Sequence, residues 1–100
     1  MKTIPKSFSL GPSVVSVAIQ DTLIVKSAAY GLCIPALQAI FLQKVNPEFN
    51  KQAQVQTFYH ELTHMILDTM GECELSSNER FVEGFSQLLL QFMQTANGKT

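Results

Sequence analysis

The segment from Lys51 to Met70 contains neither glycine nor proline, and Val55, Tyr59, Leu62, Ile66 and Met70 recur along it at three- and four-residue steps. That period puts them on one face of a helix. Gly71 follows directly, where a left-handed residue closes a helix without a Cβ clash. A long amphipathic helix therefore sits in the middle of a chain of 100 residues. The remaining sequence must fold so as to cover its apolar face.

Before Asn46-Pro47 the pattern is different. Val14-Val15-Ser16-Val17-Ala18-Ile19 partly alternates behind the turn dipeptide Gly11-Pro12, and Leu23-Ile24-Val25 follows Asp21-Thr22, which predicts a hairpin. A third apolar run, Tyr30 to Ile34, stops at Pro35, which cannot donate a ladder hydrogen bond and so fits an edge or a strand end. A fourth, Ala39-Ile40-Phe41-Leu42, lies between Gln38 and Gln43-Lys44. These runs predict a small twisted sheet of three or four strands, antiparallel or mixed.

Beyond Gly71 a polar loop over residues 72–77 leads to a second helix. Ser76, Ser77 and Asn78 are all good N-cap types. Phe81, Phe85, Leu88, Leu89 and Phe92 form its apolar stripe, with Arg80, Gly84, Gln87 and Gln91 on the polar side, until Asn97-Gly98 ends the order. The expected class is α+β in a single domain over 1–100, with strands mainly over 1–45 and two helices over 51–96.

Seven basic residues face eight acidic ones, for a net charge of −1, with no run of like charge. That disfavours a nucleic-acid binder. Ser7, Ser9, Gly11, Pro12 and Ser13 interrupt the N-terminal region, so no signal peptide is read there, and no apolar run reaches the roughly 20 residues of a membrane span. Cys33 and Cys73 are far apart and fit reduced thiols. A soluble cytoplasmic protein is expected.

The chain has two histidines, and both lie in His60-Glu61-Leu62-Thr63-His64 on the long helix. A zinc ion in a hydrolase needs three protein ligands and one open position for water. Side chains four residues apart diverge by only about 40° on a helix, so His60 and His64 can converge on one ion. Glu61 sits one step round, beside that open position, where it can accept the water's proton. A third ligand is available from the second helix. Glu79 and Glu83 open it, four residues apart, beside Val82, Ser86 and Leu90 rather than on the polar side. Carboxylates flanking an apolar surface are costly without a cation or a metal. Each also has an ordinary reading: Ser76-Ser77-Asn78-Glu79 fits a capping box, and Glu83 fits a first-turn carboxylate favoured by the helix dipole.

His60-Glu61-Leu62-Thr63-His64 followed by Asn78-Glu79-Arg80-Phe81-Val82-Glu83 resembles the gluzincin arrangement of thermolysin-like peptidases. The short chain and the strands before the motif are similar to minimal zincins: the ImmA/IrrE-type domains and the small metallopeptidase-like domains encoded by phages and prophages. The resemblance is specific over about residues 56–92 and schematic before them. It implies one Zn2+ per chain, with Glu79 as third ligand beside His60 and His64. It places Glu83 where a supporting acid holds one ligand histidine by its other ring nitrogen, a position at which the family usually has Asp. It also implies an edge strand beside the active-site helix, to which a protein or peptide substrate adds. Ala39-Ile40-Phe41-Leu42-Gln43 is the candidate for that edge, against the alternative of a buried core strand.

The expected function is a zinc-dependent peptidase with Glu61 as general base. The alternative is a zinc-stabilised protein-binding or regulatory module, whose site would be closed by a fourth protein ligand, for which Cys73 is the available residue. For stabilising an oxyanion the candidates are Tyr30, Tyr59 and Arg80; Tyr59 lies with the apolar face of its helix, and Tyr30, next to Gly31, is preferred.

Overall fold

The computed structural model describes residues 4–98. Its elements run β1 (Ser7–Leu10), β2 (Ser13–Gln20), α1 (Leu23–Ser27), β3 (Gly31–Ile34), a 3-10 turn (Pro35–Leu37), β4 (Ala39–Gln43), α2 (Lys51–Met70), α3 (Cys73–Ser76) and α4 (Glu79–Thr95). The class is α+β: a four-stranded mixed sheet in the order β1-β2-β4-β3, followed by helices. No helix among the described residues is long and apolar enough to cross a membrane.

The sheet begins earlier than the sequence predicts. Phe8 and Leu10 turn inward between the exposed Ser7 and Ser9, so β1 alternates as a half-buried strand should. Its turn into β2 is Gly11-Pro12, with Gly11 supplying the positive φ of 56°. The expected hairpin partner, Leu23-Ile24-Val25, is not a strand but the short helix α1. Its β-branched residues favour extended backbone, yet a tertiary contact decides the matter. Gln43 Oε1 accepts the Ile24 N–H at 2.8 Å, while Gln43 Nε2 donates to the Asp21 carbonyl at 2.6 Å.

The candidate edge over residues 39–43 is also corrected. β4 is an interior strand, parallel to β2 on one side and antiparallel to β3 on the other. Ala39, Ile40, Leu42 and Gln43 are all buried, which is what pairing on both sides requires. The end strand next to the long helix is β3 instead, and Pro35 ends it as expected by starting the 3-10 turn.

α2 starts at the Asn50 cap, whose side chain accepts the Ala53 N–H at 2.8 Å, and stops at Gly71 with φ 81°. It packs on β3 and β4 with one side and on α3 and α4 with the other. The single apolar face read from the sequence is therefore too narrow: Gln54, Phe58, Thr63, Met65 and Leu67 are buried along with Tyr59, while Met70 is exposed. Val15, Ile40, Leu42, Phe58, Tyr59, Met65 and Leu90 form one core, which Phe8 joins edge-on to Phe58 at 6.1 Å.

α4 meets this core with a different face from the one expected. Val82, Ser86 and Leu90 are buried against α2, whereas Phe85, Leu88 and Phe92 are exposed. The residues 72–77, read as a loop, contain the one-turn helix α3.

Gln43 is the most heavily used polar side chain of the interior. It is 2 % exposed, and its backbone carbonyl also accepts Gln54 Nε2 at 2.8 Å, tying α1, β4 and α2 together. Gln43→Leu removes the partner of the Ile24 N–H and of the Asp21 carbonyl in a part-buried site. The expected cost is about 2–3 kcal/mol, read as a fall in melting temperature of roughly 10–20 °C for a domain of this size. A fall of under about 4 °C would mean the network is dispensable.

Candidate metal centre

The long helix presents His60, Glu61 and His64 to the first turn of α4. Asn78, the last of the three N-cap types, is the residue that caps α4, accepting the Phe81 N–H at 3.1 Å. The helix thus begins at Glu79, and no Ser76–Glu79 capping box forms. Freed from that duty, the Glu79 carboxylate reaches across to α2. Its Oε1 lies 3.3 Å from His60 Nε2 and its Oε2 lies 3.5 Å from His64 Nε2.

Each histidine is held by its other nitrogen. His60 Nδ1 is 2.9 Å from Glu83 Oε1, and Glu83 Oε2 accepts Gln87 Nε2 at 2.7 Å. His64 Nδ1 is 3.0 Å from the hydroxyl of Ser76, which is buried in α3. An ionised carboxylate only accepts, so Glu83 accepts a hydrogen bond from His60 Nδ1–H, which leaves Nε2 with its lone pair. The Ser76 hydroxyl can do the same for His64. Three electron-rich groups then converge, an arrangement that a cation could satisfy.

The spacing fits such a cation. With bonds of about 2.0–2.1 Å, tetrahedral donors stand about 3.3–3.4 Å apart. Each imidazole lies near that value from a different oxygen of Glu79, and one donor atom from each of the three residues lies within 4.8 Å of the others. Nitrogen, nitrogen and carboxylate oxygen is also a donor set that suits zinc. Among the described residues, the cluster of His, Cys, Asp and Glu so placed is His60, His64 and Glu79. Cys73 is exposed at the start of α3 and stands outside it.

The donors form part of the floor of an open cleft with two lobes. One, of about 330 Å³, is bordered by Tyr30, Gln56, Thr57 and Glu83; the other, of about 320 Å³, by Leu32, Cys33, Asp68 and Glu79. Gly31, His60 and Glu61 belong to both, so the cleft follows the end strand with Glu61 at its middle. Burial pushes the Glu61 carboxyl up from its ordinary value; His60 and His64 pull it down, and Glu79 pushes it up further.

Two participants were not legible as such. A Cβ at Gly31 would stand 2.5 Å from Thr57 Cγ2 and 3.1 Å from Glu61 Cγ, so only glycine lets β3 approach the helix here. Ser76 reads as a capping residue in the sequence and becomes instead the partner of His64. Of the oxyanion candidates, Tyr30 lines the cleft, stacked on Phe49 at 4.2 Å. Tyr59 is buried in the core, and Arg80 lies with Phe81, Phe85 and Leu88 on the other side of α4.

Cys33 on β3 faces the core, its sulfur 4.0 Å from that of Met65. Burial, with Glu61 and Asp68 adding to it, pushes this thiol up to about 12 from 9.0. Reactivity follows the thiolate, so Cys33 should be modified about 1,000-fold more slowly than an ordinary thiol near pH 8. A chromogenic disulfide reagent is expected to titrate one fast thiol in the native protein, Cys73, and both after unfolding. Two fast thiols in the native state would contradict the burial of Cys33.

Comparison of the chain with protein-family models, curated proteins and solved structures yields no match.

Proposed function

We propose that this protein is a zinc-dependent peptidase of minimal gluzincin type. The observation that carries the reading is the convergence of His60 Nε2, His64 Nε2 and the Glu79 carboxylate beside Glu61. In this reading His60, His64 and Glu79 hold the ion, with Glu83 and Ser76 fixing the two imidazoles. Zinc, when bound, supplies a Lewis acid that polarises a carbonyl oxygen and lowers the pKa of water towards 7.

The chain's own residues do the rest. β3 is an end strand bonded to β4 on one side, so its other edge can receive an extended peptide by backbone hydrogen bonds. Gly31 keeps that edge against the helix, which brings the scissile carbonyl close to Glu61. Glu61 takes a proton from the water as its oxygen bonds to the carbonyl carbon, and passes it to the amine as the C–N bond breaks. Tyr30, which lines the cleft, is the candidate to donate to the developing oxyanion. A second reading, a zinc-stabilised module that binds peptides without cutting them, uses the same donors and the same edge. The exposure of the Glu79 side chain, 67 %, favours it by leaving little wall to enclose a substrate, while Cys73, the fourth ligand that would close such a site, stands outside the cluster.

The purified protein is expected to bind one zinc per chain, lost in His60→Ala and His64→Ala. Glu83→Ala and Ser76→Ala should weaken zinc binding by about 10–100-fold, and Glu79→Ala by more. If Glu83→Ala is the more damaging of the two glutamate variants, their roles are exchanged. Chelation should lower the melting temperature, because an ion bound to the folded state stabilises it. Glu61→Gln is expected to keep the metal and lose peptide hydrolysis by at least about 100-fold. Unchanged hydrolysis in that variant defeats the general-base assignment. A zinc-loaded wild-type protein that binds peptides but cleaves none in a mixed peptide library selects the second reading.

A further inference from the structure

The outward face of α4 is apolar without interruption. Phe81, Phe85, Leu88 and Phe92 follow one another at steps of four, three and four, on the opposite side of the helix from Glu79, Glu83 and Ser86. Phe85 is 46 % exposed, Leu88 68 % and Phe92 61 %. The rings of Phe81 and Phe85 are stacked at 5.7 Å, which presents them as a single flat surface. The exposed parts of Phe81, Phe85, Leu88 and Phe92 together amount to on the order of 350 Å², the size of patch that marks a contact surface on a small protein.

We infer that this face pairs with the same face of a second copy, the two α4 helices lying antiparallel about a twofold axis between residues 86 and 87. The four-three-four spacing reads identically from either end. An antiparallel copy therefore sets Phe81 opposite Phe92 and Phe85 opposite Leu88, so each side chain meets one of like character. Charge selects the direction. Glu79, Arg80 and Glu83 are confined to the head of α4, and residues 84–98 carry no charged side chain. Glu79 and Glu83 point away from this face towards α2, so the charged side chain at its border is Arg80, and a parallel pair would bring the two Arg80 guanidinium groups to the same end of the seam. The antiparallel pair lays each head along the uncharged half of its neighbour. Two such patches give on the order of 700 Å², and the exposed Arg80, Gly84, Gln87 and Gln91 along one flank bring the pair towards the roughly 1,000 Å² that a specific pair requires. None of this depends on the metal or on catalysis.

The test is sedimentation of the full chain from about 1 µM to about 1 mM, a span that brackets interfaces of this size. A dimer is expected, and Leu88→Glu or Phe92→Lys should weaken it by at least about 100-fold while leaving the melting curve of the monomer unchanged. On a Cys73→Ser background, Phe81→Cys chains mixed with Phe92→Cys chains should form a disulfide. Phe92→Cys alone should not, because the two copies of that position lie about 16 Å apart along the axis. A wild-type monomer throughout the range, or a dimer indifferent to both charged variants, overturns the inference. So does self-linking of Phe92→Cys, and so does cosedimentation of the monomer with phosphatidylcholine vesicles that Leu88→Glu abolishes, since the face would then belong to a lipid surface.

Discussion

The hydrogen bond from His60 Nδ1 to the carboxylate of Glu83 governs how the second half of the molecule is assembled. A helix packed on another can rotate about its own axis, and apolar stripes ordinarily choose the rotation. In α4 the choice goes the other way. Glu83 accepts a hydrogen bond from His60 Nδ1 at 2.9 Å, with Glu79 opposite Nε2 at 3.3 Å, and that requirement turns Val82, Ser86 and Leu90 towards α2. The richer stripe of Phe81, Phe85, Leu88 and Phe92 is left pointing away. Small Ser86 suits the inward position, because it lets the helix backbones come close while its hydroxyl is satisfied by the Glu83 carbonyl. Charge-assisted pairing at a few atoms thus outweighs several exposed apolar side chains in deciding orientation, although it contributes less buried area.

α2 occupies the centre because it is asked to serve both layers. Its sheet-facing side supplies core residues such as Phe58, and its other side carries the imidazoles. Between the two, Glu61 faces the end strand at the point where Gly31 removes any side chain. The cleft follows from that close approach. A wider β3–α2 separation would leave Glu61 in open solvent, and its proton affinity would not be raised by burial. The short helix α3 does a comparable job from the opposite end, placing a buried hydroxyl on His64.

What could be read from the sequence was set by how local each signal is. The bounds of α2 are encoded in Asn50 and Gly71 and the convergence of His60 with His64 in a four-residue spacing, so both were visible without any tertiary knowledge. Glu79 and Glu83 could be set apart from the polar side of their helix because the pattern of Val82, Ser86 and Leu90 placed them. The strands were harder. Residues 39–43 offered no way to tell an edge from a centre, because an uninterrupted apolar run suits either until its neighbours are known. Leu23-Ile24-Val25 carried a strand's composition but is helical, with the Ile24 N–H taken by Gln43, a residue remote in sequence. Gly31 and Ser76 were overlooked for the same reason: their importance lies in what comes to them from α2.

The two faces of α4 make opposite demands on its composition, and residues 79–95 satisfy both by separating them. The face towards α2 needs acidic groups, but only in the first two turns, where the helix dipole also favours them. The opposite face needs area rather than charge. Acidic residues spread along the helix would have drawn repulsion into a paired interface, whereas their confinement to residues 79–83 leaves the rest free to be apolar and amide-rich. A copy seated on that outward face also braces the helix whose first turn carries Glu79. α4 is otherwise held by the Glu83–His60 contact and by Val82, Ser86, Leu89 and Leu90, a narrow strip for a helix of 17 residues. Support from the outer side therefore stiffens the donor that is most exposed to solvent, and links the pairing of chains to the geometry of the cleft without any side chain crossing between them.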